Sequence, residues 1–149
     1  MENSSNPFDG APIIHAYSRA QAIEDGVLVD VASGDTAALV REVGIKYPVA
    51  LTAAAWHATV GLGGTWVACP EGGEVLQLPE GQDPIGRTWD VLSLLRAACV
   101  RHAQAGRDAV RFEVRVWDGK RARVVKLKAL VGPGDHGEPA ITVLLPNED

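Results

Sequence analysis

The sequence predicts an α+β domain: an antiparallel sheet of three to five strands, ending in a three-stranded meander, with helices packed on one face. Three observations predict it. Val110, Phe112, Val114 and Val116 alternate with Arg111, Glu113, Arg115 and Trp117, the period-2 signature of a half-buried strand. Asp118-Gly119 follows at once, and Asp-Gly suits the positive φ angles of a two-residue hairpin turn. Val125, Leu127, Ala129 and Val131 then alternate with Lys126 and Lys128, and Ile141, Val143 and Leu145 close the run. Ahead of this meander, Val91, Leu92, Leu94, Leu95, Ala98, Cys99 and His102 recur at helical spacing with Arg96 and Arg101 outside the stripe. A sheet with one apolar face must be covered, and this helix is the cover.

The remaining elements follow in chain order. Residues 1–9 read as a loosely held arm, and Ile13, Ile14 and Tyr17 as a short strand or anchoring turn. Ser18 and Gln21 make a capping box that opens a helix from Arg19 to Asp25, with Gly26 placed to end it. Val27 to Val31 is a strand candidate. Ser33 to Asp35 offers caps for a helix from Thr36 to Val43, which Gly44 ends. Lys46 to Leu51 is extended, because the residue before Pro48 avoids the helical region. Thr52 caps a helix from Ala53 to about Val60. Residues 61–86 are punctuated by glycine and proline around Trp66-Val67-Ala68 and Val75-Leu76, and read as a long loop or a small hairpin insertion. Thr88 is the expected cap of the long helix, with Asp90 in its first turn and Arg101-His102 in its last, as the helix dipole prefers.

A chain of 149 residues supports one domain, 1–149, with a sizeable core. Its 46% hydrophobic and 22% charged residues are an ordinary balance for a globular protein. No apolar run approaches the roughly 20 residues that span a bilayer, and MENSSNPFDG does not resemble a signal peptide, so the expected setting is cytoplasmic with no membrane partner. Cys69 and Cys99 are expected to be buried free thiols. The net charge of −5 argues against a dedicated DNA binder, but it is unevenly spread. Residues 1–90 hold four basic and twelve acidic side chains, whereas residues 91–128 hold ten basic and three acidic. Such polarity orients a partner and also allows a homodimer that matches opposite ends.

Most catalytic signatures are missing. Gly61-Leu62-Gly63-Gly64 lacks the lysine and hydroxyl of a phosphate loop, and no nucleophile elbow surrounds Ser18, Ser33 or Ser93. The four histidines are scattered. Asp135, His136 and Glu138 are the best local cluster, but Asp and Gly are also what a turn requires, so no metal and no cofactor is expected.

Binding signals are clearer. Arg111, Arg115, Lys120, Arg121, Arg123, Lys126 and Lys128 are expected on one side of the hairpin with Trp117 near its tip, a platform on which single-stranded nucleic acid can stack. The competing reading is the ordinary solvated face of an antiparallel sheet. Trp56 and Trp89 fall in helical contexts and are expected in the core, whereas Trp66 and Trp117 are candidate anchors for a protein partner. A weaker enzyme alternative places a pocket at Asp83, Arg87 and Asp90, where a helix N-terminus can hold an anion.

Five phrases carry a family resemblance: Ile14-His15-Ala16-Tyr17-Ser18-Arg19-Ala20-Gln21-Ala22, Asp25-Gly26-Val27-Leu28-Val29-Asp30-Val31, Pro48-Val49-Ala50-Leu51-Thr52, Gly86-Arg87-Thr88-Trp89-Asp90-Val91-Leu92, and Gly132-Pro133-Gly134-Asp135-His136-Gly137-Glu138-Pro139. Together they resemble a family of small proteins, described only as a domain of unknown function, carried on bacterial plasmids, integrative elements and phages. The resemblance brings no catalytic residues with it. It implies a non-catalytic protein that binds a host protein or nucleoprotein complex, with an anti-restriction or anti-CRISPR role as one form of that activity. The contact residues expected are Trp66, Trp117, Arg115, Lys126 and Asp135, with nucleic-acid binding by the basic 111–128 hairpin as the alternative.

Overall fold

The computed structural model describes residues 18–102 and 109–148. The expected arm at 1–9 and the expected element at Ile13, Ile14 and Tyr17 lie outside the described residues. In chain order the elements are α1 (Arg19–Glu24), β1 (Leu28–Asp30), α2 (Ala37–Glu42, entered through a 3₁₀ turn at Gly34–Thr36), β2 (Val49–Thr52), α3 (Ala53–Ala58), β3 (Thr65–Ala68), β4 (Glu74–Gln77), α4 (Pro84–His102), β5 (Ala109–Trp117), β6 (Ala122–Pro133) and β7 (Pro139–Leu144). The strands form a five-stranded sheet in the order β1-β2-β7-β6-β5 and a separate two-stranded sheet, β3-β4. The fold is α+β.

Local chemistry sets the element ends. The Ser18 hydroxyl accepts the Gln21 N–H at 3.0 Å while the Gln21 side chain accepts the Ser18 N–H, so the capping box forms as expected. α1 and α2 both end on a glycine with φ near +80°, Gly26 and Gly44, a region other residues enter only with strain. The amide two residues beyond each helix's last capping residue turns back to bond the helix (Val27 N to Ala22 O, 2.9 Å; Ile45 N to Val40 O, 3.0 Å).

The three-stranded meander forms in the expected order, β5 against β6 and β6 against β7, both antiparallel. Its inner face, with Val49 and Leu51 of β2, supplies Val110, Phe112, Val114, Val116, Leu127, Ala129, Ile141 and Val143 to one core cluster. Val91, Leu92, Leu95 and Ala98 of α4 are fully buried in the same cluster, together with residues from α2 and α3. Each buried Val, Leu, Ile or Phe among them contributes about 1.5–3 kcal/mol by leaving water. Two details depart from the sequence reading. β2 joins the meander through a parallel pairing with β7, Val49 opposite Ile141, so the sheet is mixed; the long connection that includes α4 makes this crossover feasible. α1 sits on the face away from that core: Arg19 donates to Thr142 Oγ1 at 2.8 Å, and Thr142 alternates with the core residues Ile141 and Val143.

α4 begins four residues before Thr88. Asp83 Oδ1 accepts the Gly86 N–H at 2.8 Å and Pro84 occupies the first turn, where its missing N–H costs nothing. Thr88 lies inside the helix, its hydroxyl donating to Pro84 O at 2.8 Å. The buried stripe therefore runs Arg87, Thr88, Val91, Leu92, Leu95, Ala98, which leaves Trp89 38% exposed instead of in the core. Trp56 is half-buried at the core's edge, and both cysteines are free and half-buried, not fully enclosed.

Candidate functional site

The β5-β6 ribbon divides its charged residues by strand parity. Arg111, Glu113, Arg115 and Trp117 of β5 share the outer face with Ala122, Val124, Lys126 and Lys128 of β6, in the register Arg111–Lys128, Glu113–Lys126, Arg115–Val124 and Trp117–Ala122. Arg111, Arg115 and Lys126 are exposed with no ion pair among the described residues, beside a 43% exposed Trp117. The other basic residues are placed differently. Lys128 is half-buried and its ammonium donates to Glu148 O. Arg123 has the opposite parity, and its Nε donates to Asp118 Oδ2 at 2.7 Å. Lys120 and Arg121 are exposed at the turn, where their amides donate to Asp118 Oδ1 at 2.8 and 2.9 Å. Those contacts, the Arg121 amide foremost, hold the Asp118 carboxyl far below the usual carboxylate range.

Between the expected loop boundaries stands the β3-β4 hairpin, with Thr65–Gln77, Trp66–Leu76, Val67–Val75 and Ala68–Glu74 opposed. It adds nothing to the core. Trp66 and Val75 are each 52% exposed and Val67 39%. Its root, in contrast, is fixed by Arg87, which is 4% exposed. The Arg87 guanidinium donates to Val60 O (3.0 Å), Leu62 O (2.7 Å) and Trp117 O (2.5 Å), and through Nε to Gln82 Oε1 (3.2 Å). One side chain thereby ties α4, the approach to β3 and the end of β5. A Cβ on Gly63 would lie 2.7 Å from Asp118 O and 3.1 Å from Pro79, so the two hairpins touch too closely there for any side chain.

Arg87 is therefore a clasp. Of the residues in the enzyme alternative, Asp83 is committed to the start of α4 and Arg87 to backbone carbonyls, while Asp90 lines an open groove with Ser93, Leu94, Glu113, Arg115 and Val124. Partial burial raises the Asp90 carboxyl above its ordinary value. Neither Asp83 nor Arg87 lines that groove. Asp135 is also engaged: its two carboxylate oxygens accept the Arg19 and Ala20 amides at 2.8 and 3.0 Å, anchoring α1 to the β6-β7 turn. Glu138 Oε2 accepts the His136 amide at 3.0 Å. Among the described residues, no three His, Cys, Asp or Glu converge as metal ligands would.

The sequence reading did not anticipate an open apolar groove of about 360 Å³ beside the C-terminal part of α4, lined by Ile45, Tyr47, Cys99, Val100, Val131 and Ile141 among others. Val131 continues the apolar alternation of β6 but is 48% exposed, and only the tertiary arrangement reveals that. Among the described residues no helix is long and apolar enough to cross a membrane.

Comparison with curated proteins and with solved structures gives no match. A family model does match residues 4–149, nearly the full length, and the chain belongs to that family, the family of unknown function DUF6573.

Proposed function

We propose that this chain is a non-catalytic binding protein of a mobile genetic element, and that it engages a host protein or nucleoprotein complex through the β3-β4 hairpin. The observation that carries this reading is the exposure of Trp66, Val67 and Val75 on a two-stranded ribbon outside the core. Two strands alone are marginal in water, and apolar side chains displayed on them cost stability without return unless something covers them. A tryptophan at such a site is a strong anchor. Residues 61–83 contain Glu71, Glu74, Glu80 and Asp83 and no lysine or arginine, so the complementary surface is an apolar pocket with a basic rim. Inhibition of a restriction or CRISPR complex is the form of this activity suggested by the mobile-element setting that the sequence resemblance implies.

The test is capture of host proteins from nuclease-treated lysate by the tagged protein. Trp66→Ala should weaken capture of a specific partner about thirtyfold, the size of a hot-spot loss. Capture unchanged by Trp66→Ala and Val75→Ser would sink the assignment to the hairpin. A plasmid or phage challenge then reads whether the same substitution abolishes protection from host defence.

A second reading rests on Arg111, Arg115 and Lys126, exposed together beside Trp117. If this face binds single-stranded nucleic acid, affinity must fall steeply with salt as counterions are displaced. Arg115→Glu with Lys126→Glu should abolish binding while Trp66→Ala leaves it intact.

A further inference from the structure

Among the described residues β5 ends the five-stranded sheet, and its outer side is a nine-residue edge. Which backbone groups face outward follows from the turn. Asp118 N donates to Arg121 O at 3.0 Å, so Asp118 points its backbone at the partner strand. Alternation then makes Phe112, Val114 and Val116 point theirs at β6, and Ala109, Arg111, Glu113, Arg115 and Trp117 point theirs away. Of these outward groups, the Trp117 carbonyl is taken by Arg87. Among the described residues, nothing bonds the outward N–H and C=O groups of Arg111, Glu113 or Arg115.

Exposed edges of this length are usually blunted by proline, a bulge or a covering segment. β5 has no proline and pairs with β6 without a bulge from Ala109 to Trp117. Its charges instead discriminate among partners. For two copies of β5 meeting antiparallel about a twofold axis, only registers that oppose residues of the same parity keep both apolar faces on one side. The register centred on Glu113 sets Glu113 against Glu113 and Arg111 against Arg115, and is repulsive. The register centred on Phe112 sets Arg111 against Glu113 of the second copy, twice by symmetry. It leaves the Trp117 carbonyl, already held by Arg87, outside the pairing.

We propose that β5 pairs antiparallel with β5 of a second copy of this chain, in the register centred on Phe112, to give a continuous ten-stranded sheet. The pairing satisfies the outward amides and carbonyls of Ala109, Arg111, Glu113 and Arg115 on both copies. It neutralises Glu113 across the axis. A homodimer built this way is isologous and closes, so it does not propagate into fibres. The proposal is independent of the hairpin's role, because Trp66 takes no part in it.

Sedimentation equilibrium of the full chain tests it. The wild type should be a dimer that dissociates on dilution. Glu113→Arg places arginine against arginine at both symmetric pairs and should weaken the dimer at least about tenfold, with an unchanged far-ultraviolet circular dichroism spectrum because the residue is exposed. Adding Arg111→Glu to that variant should restore dimerisation. A wild type that remains monomeric at every concentration overturns the proposal, as does a dimer indifferent to Glu113→Arg. Rescue by Arg115→Glu in place of Arg111→Glu overturns the register.

Discussion

The two hairpins of this protein share a local motif and differ in almost everything else. β5 and β6 place every second side chain of β5 under α4, so Val110, Phe112, Val114 and Val116 are buried while the residues between them are exposed. Among the described residues β3 and β4 supply nothing to the buried core cluster, although three of the four β3 residues are of kinds usually found inside: Trp66, Val67 and Ala68. In one ribbon the hydrophobic pattern serves folding. In the other it is displayed. The difference teaches that exposed apolar residues become informative only when set against what the rest of the chain manages to bury.

Three experiments probe that contrast, in decreasing order of expected effect. Phe112→Ala removes a core ring and should cost about 3–5 kcal/mol of unfolding free energy in urea titration, whereas Trp66→Ala should stay within about 0.5 kcal/mol. A comparable loss from both would show that β3-β4 is part of the folding unit after all. Arg87→Met fills similar space but leaves the carbonyls of Val60, Leu62 and Trp117 without their donor. The expected cost is about 1–3 kcal/mol, and amide hydrogen exchange should accelerate in β3 and β4 more than in β6. Equal acceleration in both would mean that Arg87 does not selectively hold the smaller hairpin.

The third effect depends on pH. Asp118 has a folded-state pKa below its unfolded value, so its contribution is full above about pH 4 and is lost as pH falls through the folded value. The gap in melting temperature between wild type and Asp118→Asn should therefore be constant near neutrality and close below about pH 4. A gap undiminished at pH 2 would assign the turn's stability to Gly119 and backbone geometry alone.

Elements specified by neighbours in sequence were legible in advance. The β5 alternation, the tight turn after it, the Ser18–Gln21 box and the glycines that end α1 and α2 all depend on residues a few positions apart. The turn closes one residue later than Asp-Gly suggested, with Asp118 bonded to Arg121 and Gly119 at positive φ. What was hidden depends on distant ones. Nothing local to Val49 or Ile141 announces that they pair in parallel. Asp83-Pro84 is a legible helix start, but it stands in a stretch so rich in glycine and proline that Thr88 is the more obvious cap. Arg87 and Asp135 show the limit for the candidate sites. A charged residue near a helix start is equally compatible with an anion site and with an internal clasp, and only its hydrogen-bond partners decide. The division of the seven basic hairpin residues by parity was inferable from the alternation itself, since Arg123 falls in step with Val125 and Leu127.

The parallel pairing of β2 with β7 also sets the order in which the protein can assemble. β7 is the middle strand of the main sheet and follows the other four in chain order. The β5-β6 ribbon closes over a short turn and can form early, whereas β1 and β2 have no place in the sheet until β7 arrives to bridge them to it. Closing so long an intervening chain carries an entropy cost that only the completed core returns. During synthesis, then, Val49 and Leu51 are expected to stay uncovered until β7 is made, and resistance to proteases is expected to appear only after that step.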